Sequence, residues 1–353
     1  MHANERKEDR LLGGQALTSP ALYGCTGTQL TSDERRFFGD SKPLGFILFA
    51  RNCVTGPQIR ALVDDLHAAA DQPDALVLID QEGGRVARLK PPEFRAAPAA
   101  QVFGDLAVRD RKNAIEAARI NARLIASELE PLGINVDCLP LLDVPAPGGH
   151  GIIGDRAFSS DPELVATLGA AAADGLKAGG VLPVIKHIPG HGRAGADSHL
   201  ALPVVDASAE DLKRIDFAPF RAMNHLPLAM TAHVVYAALD PDQPATTSVS
   251  VIAQVIREDI GFDGLLMSDD LSMSALSGPV AARARGSLDA GCDVVLHCNG
   301  DMAEMVPIAE AVGETLTPDA NRRAASALNA LLPPEPFDRD EGRARLDELL
   351  AQD

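Results

Sequence analysis

The sequence predicts a single (β/α)8 barrel of the TIM type, on three observations. Eight short apolar runs recur along its 353 residues. Most of them are followed by a longer stretch with apolar residues at helical spacing. The runs are continuously apolar rather than alternating, which strands buried on both faces of a parallel sheet require. A barrel of this kind takes about 250 residues, which the chain exceeds. A doubly wound sheet is the structural alternative, but it rarely takes eight equivalent units.

The strand-like runs, in order, are PALYG (20–24), GFILFA (45–50), ALVLID (75–80), INVDCLP (134–140), VLPVIKH (181–187), LPLAMTAHV (226–234), GLLMSDD (264–270) and DVVLHC (293–298). Between them, TGPQIRALVDDLHAAA is helical in pattern behind a Thr55 cap. RDRKNAIEAARINARLIASELEPLG and DPELVATLGAAAADGLKAGG end at glycine, a usual helix stop. SAEDLKRIDFAPFRAM opens on a Ser-x-x-Asp capping pattern at Ser208, and Ser250 is placed to cap SVIAQVIREDIG. Residues 1–331 are read as the barrel. Residues 332–353, a Pro-rich turn and a charged helix, are expected on its exterior, with no second domain.

Composition narrows the function. A hydrophobic fraction of 46% allows a large core, and with aromatics at 4% that core is built from Ala, Leu, Val and Ile. A net charge of −18 repels phosphate backbones, so no nucleic-acid partner is expected. MHANERKEDR has no apolar region behind it, and no run approaches the ~20 apolar residues that cross a bilayer. The expectation is therefore a cytoplasmic monomer with no membrane partner, acting on a small molecule. Five scattered cysteines without a CxxC pair argue against both a disulfide framework and a thiolate zinc site.

In a barrel, reactive groups collect at the C-terminal ends of the strands and in the loops after them. Those positions hold Asp80, Arg85 and Arg88 after the third run, Asp143, Asp155 and Arg156 after the fourth, and Lys186, His187, His191, Asp197 and His199 after the fifth. The later runs end in His233, in Asp269 and Asp270, and in His297. Each has a structural alternative. DQEGGR makes a glycine turn with Asp80 as its cap, GDRAF an Asp–Arg pair, and SDD a helix cap. His233 and His297 suit satisfied core histidines, and His150 an exposed loop.

KHIPGHGRAGADSH, residues 186–199, admits two chemistries. Its three histidines, with Asp197, could ligate zinc. Metal-dependent barrel amidohydrolases, however, carry His-x-His at the end of the first strand, and here that strand ends LYGCTG. Alternatively, Asp197 raises the basicity of His199, which serves as acid and then base. Asp269 or Asp270 would then be the nucleophile of a retaining glycosidase, with His199 in place of the usual second carboxylate. A sugar-binding protein without turnover, sensing amino sugars, is the third possibility.

IDQEGGRVAR, GDRAF, KHIPGHG followed by DSH, and SDDLSM resemble the β-N-acetylglucosaminidases of glycoside hydrolase family 3. They are most similar to the single-domain bacterial members that serve peptidoglycan recycling. The resemblance runs from about residue 17 to 331, with the motifs in the family's order. It implies Asp269 as nucleophile, His199 as acid/base and Asp197 as its partner. It also implies Asp80, Arg88, Arg156, Lys186 and His187 as substrate binders, with His191 shaping the loop. The implied substrate is terminal β-linked N-acetylglucosamine on 1,6-anhydro-N-acetylmuramic acid, and no metal or cofactor is implied. Phosphorolysis in place of hydrolysis stays open. The loop 145–151 and the tail match nothing in the family pattern.

Overall fold

The computed structural model describes residues 18–146, 151–195 and 202–351. Eight parallel strands close a barrel, one from each predicted run: β1 (Ser19–Tyr23), β2 (Pro43–Leu48), β3 (Leu76–Ile79), β4 (Val136–Asp137), β5 (Leu182–Ile188), β6 (Leu228–Thr231), β7 (Leu265–Asp270) and β8 (Val294–His297). Each pairs with its sequence neighbours, and β8 closes on β1. A separate parallel pair, Val204–Val205 with Val235–Tyr236, joins the segments that follow β5 and β6.

Alternate residues of one strand serve two cores. Leu22, Ile47, Leu78, Val184, Met230, Met267 and Leu296 fill the barrel interior. Their neighbours Tyr23, Phe46, Val77, Ile185, Ala229, Leu266 and Val295 belong to the layer that includes the surrounding helices. Both sides of each strand are dry, so the runs carry no polar alternation. One end of the barrel is closed by the helix Pro318–Asn329, whose Ala324 and Ala327 join the interior cluster. Arg323 of that helix binds Asp293, just before β8, at 2.8 Å and Asp263, just before β7, at 3.0 Å. Chemistry is left to the opposite end.

The helix caps hold with two corrections. Thr55 accepts from Gln58 N and Ser208 from Asp211 N, as expected. The segment after Ser208 is not one helix. It runs as Ala209–Asp211, a π-helical turn Leu212–Asp216, and Ala218–Ala222, which restarts because Pro219 fits only a first turn. Ser250 makes no cap; Ser248 Oγ instead accepts from Val251 N at 3.1 Å, and Val251–Asp259 is π-helical. The helix Arg339–Leu350 buries Leu346 and Leu349 and packs on Arg111–Leu129, where Arg345 Nε binds Glu116 at 2.7 Å. No helix among the described residues is long and apolar enough to cross a membrane.

Candidate active site

At the C-terminal end of the strands lies a pocket of about 370 Å³, within the range of about 300–1,000 Å³ common for small-ligand sites. Its position follows from strand parity. The residues two beyond the inward Leu78, Val184 and Met267 are Asp80, Lys186 and Asp269, and all three line the pocket. Ile47, Phe49 and Met230 supply apolar wall.

A chain of alternating charge crosses this pocket. Arg88 binds Asp80 at 3.0 Å, Asp80 binds Lys186 at 2.8 Å, and Lys186 binds Glu82 at 2.6 Å. Arg156 completes the chain with two parallel bonds to Glu82 at 2.8 and 2.9 Å. Lys186 is 2% exposed and Glu82 4%, so water screens them little. Burial alone would raise both carboxyls, but Lys186 with Arg88 holds Asp80 well below its ordinary range, and Lys186 with Arg156 holds Glu82 at about 2. Burial would deprotonate Lys186, yet Asp80 and Glu82 keep it charged. The chain carries three cations to two anions and presents fixed charge-assisted partners for hydroxyl groups.

The loop that carries Asp80 and Glu82 is stapled from behind. Gln81 N donates to Asp137 Oδ1 at 2.9 Å, and Gln81 Oε1 accepts from Arg88 N at 2.9 Å and Leu89 N at 3.0 Å. Gly83 has φ +97, and a Cβ there would meet Pro98 O at 2.2 Å, so the turn requires glycine. Burial pushes the Asp137 carboxyl up to about 8.

His187 is oriented by Asp143, which is fully buried. Asp143 Oδ2 lies 2.7 Å from His187 Nδ1, while Oδ1 accepts from His187 N at 3.2 Å and His191 N at 2.6 Å. Burial would raise Asp143, but His187 and His191 hold it at about 2. His191, whose ring sits 5.6 Å from that of His187, is lowered to about 4, chiefly by burial and by His187, and is neutral at pH 7.

The two aspartates of β7 differ. Both oxygens of Asp270 are taken, Oδ2 by Ser272 Oγ at 2.6 Å and Oδ1 by Ser272 N at 3.0 Å and Cys298 N at 3.1 Å. Asp269 is held on Oδ1 by Asp270 N at 2.8 Å, and its Oδ2 has no hydrogen bond among the described residues. Burial would raise Asp269, but His233, His187, the Asp270 N–H and Lys186 together lower it. It is a carboxylate that lines the pocket with one oxygen unbonded among the described residues.

Of the residues singled out in the sequence, Asp80, Arg85, Arg88, Arg156, Lys186, His187, His191, Asp269 and Asp270 line this pocket. Asp197, His199 and His150 lie outside the described residues. Asp155 pairs with Arg85 at 2.8 Å rather than with its neighbour Arg156. His297 follows the outward parity, with Nε2 2.8 Å from Glu304. His233 lies behind the β7 carboxylates, between Thr246 Oγ1 at 2.7 Å and Asp270 O at 3.0 Å. Glu82 and Gln81 were missed, although Glu82 keeps the parity of Asp80. Among the described residues no group of three His, Cys, Asp or Glu is placed to hold a metal.

Residues 25–326 match the glycosyl hydrolase family 3 N terminal domain. The chain belongs to that family. It is a glycoside hydrolase. A beta-hexosaminidase of Alkalilimnicola ehrlichii is 42% identical over 287 residues, covering 80% of this chain and 81% of that protein. NagZ from Neisseria gonorrhoeae, solved in complex with N-trifluoroacetyl-D-glucosamine, is 33% identical with a TM-score of 0.84, covering 96% of this chain and 99% of that one. A family 3 beta-N-acetylglucosaminidase from Paenibacillus sp. str. FPU-7 is 31% identical with a TM-score of 0.82; 94% of this chain matches 66% of that longer one.

Proposed function

We propose that this glycoside hydrolase is a retaining β-N-acetylglucosaminidase with Asp269 as nucleophile and His199, paired with Asp197, as acid/base. The observation that carries the reading is Asp269 itself, its carboxyl held low, lining the pocket with Oδ2 unbonded among the described residues. Asp270, the other candidate, has both oxygens engaged. Asp269 Oδ2 attacks the anomeric carbon while His199 gives its proton to the departing oxygen, leaving a covalent glycosyl-enzyme. His199 then removes a proton from water, which displaces Asp269 and releases the sugar with its configuration retained. Asp80, Lys186, Arg88, Arg156 and His187 hold the sugar. That the Neisseria gonorrhoeae relative was solved in complex with an N-acylglucosamine supports an amino sugar as the ligand.

The proposed substrate is N-acetylglucosamine β-linked to 1,6-anhydro-N-acetylmuramic acid, with or without a stem peptide, met in the cytoplasm during peptidoglycan recycling. Release of nitrophenol from its β-N-acetylglucosaminide, with excess chelator, tests the activity. Chelator-resistant turnover that falls by about 10³-fold or more in Asp269→Ala, about 4 kcal/mol of transition-state stabilisation, is expected. Turnover lost to chelator, or retained in Asp269→Ala, refutes the reading. Omitting and adding phosphate separates hydrolysis from phosphorolysis, and the anhydro-disaccharide set against chitobiose tests the substrate.

A further inference from the structure

We infer that Asp216 is a positioning residue for the acid/base step, acting through Arg193 and Gly190 on the stem of the segment that carries Asp197 and His199. The inference rests on the assignment of His199 as acid/base, and it concerns groups which that assignment does not use. Asp216 closes the π-helical turn Leu212–Asp216, is 1% exposed, and accepts from Arg193 Nε at 2.7 Å. Gly190, at φ +136, lies so close that a Cβ would meet the Cβ of Asp216 at 3.0 Å. The buried Tyr236 hydroxyl donates to Gly190 O at 2.7 Å.

The same element holds the other end of the segment. Val235 N donates to Pro203 O at 2.9 Å and Ala237 N to Val205 O at 3.1 Å. Residues 196–201 are therefore bracketed by two stems, both tied to Val235–Ala237, and the first is further tied to Asp216. An acid must stand within hydrogen-bond reach of the departing oxygen, so a small shift of its stem weakens protonation. Burial pushes the Asp216 carboxyl up to about 6 even with Arg193 beside it, so this carboxylate is kept at a cost in stability. Groups retained at such a cost concentrate at functional sites.

The test compares kcat/KM on phenyl and on 2,4-dinitrophenyl β-N-acetylglucosaminide, because the second leaving group departs without a proton. His199→Ala is the reference and should slow the phenyl substrate far more. Asp216→Asn, Arg193→Ala and Tyr236→Phe should lower kcat/KM about 10-fold or more on the phenyl substrate and less than about 3-fold on the dinitrophenyl one, part of the 10²–10⁴-fold that acid catalysis supplies. Arg193→Lys, which keeps the charge, should recover part of the loss. Equal losses on both substrates, or no loss, would overturn the inference while leaving His199 in place. If His199→Ala itself fails to discriminate, the acid/base assignment fails and the positioning role falls with it. Should Asp216→Asn not fold, Arg193, whose side chain is 20% exposed, carries the comparison.

Discussion

Glu82→Gln removes one charge from the middle of the network and keeps the side-chain shape. In the wild type, Glu82 meets Lys186 at 2.6 Å and Arg156 at 2.8 and 2.9 Å. At an effective dielectric of ~20, the Lys186 contact alone is worth about 6 kcal/mol of gross attraction, most of it offset by desolvation. Removing one partner of a buried pair costs about 3–5 kcal/mol, and here Lys186 and Arg156 lose the anion they share while Asp80 still binds Lys186 at 2.8 Å. Glutamine still offers Arg156 one oxygen, which places this substitution near 3–4 kcal/mol. With about 2.1 cal/mol/K of unfolding entropy per residue over 353 residues, that loss lowers Tm by about 4–5 °C. The assay is thermal unfolding of Glu82→Gln, Lys186→Met and the double variant, with KM measured on the aryl glycoside. The double variant should lose less than the sum of the singles, since it also removes the cation whose charge Glu82 offsets. KM should rise about 10-fold as Arg156 and Lys186 lose their fixed geometry. A Tm change below about 1 °C with KM unchanged, or strict additivity, would refute the argument that these charges act as one unit.

Two further outcomes follow from the same geometry. Asp270→Asn should cost about 1–3 kcal/mol of stability, from its bonds to Ser272 and Cys298, and leave activity within about 10-fold; Asp269→Asn should do the reverse, and unfolding beside kcat checks both. On pH, burial would raise Glu82 and Asp143, but their partners hold both at about 2, against ordinary values of 4.5 and 3.8. Folded values below unfolded ones make each contribution complete above about 4.5 and progressively lost as pH falls towards 2. Denaturant unfolding between pH 3 and 6 should show this slope, and Glu82→Gln should flatten it; an unchanged slope contradicts the ionised network.

The barrel was legible because burial leaves a local mark. A strand dry on both sides is apolar at every position, so Leu76–Ile79 or Leu265–Met267 can be read without knowing their neighbours. Strand-end polarity also marked nine residues of the pocket, and the motifs around them indicated the family. Parity alone would have favoured Asp269 over Asp270 and turned His297 away, had the inward positions been known. Which parity faces inward depends on closure, and that is a property of all eight strands together. Asp80 meets Lys186 across 106 positions of sequence, and Glu82 meets Arg156 across 74. No local spacing encodes such contacts. Nor could the sequence show that Asp143 orients His187, or that the helix after Ser208 breaks before Pro219. The sequence by itself determined where the strands lie and which ends carry chemistry, because hydrophobic periodicity is written residue by residue. Only the tertiary structure decided which charges neutralise one another and which carboxylate keeps an oxygen unbonded among the described residues, because distance and desolvation arise only when the barrel closes.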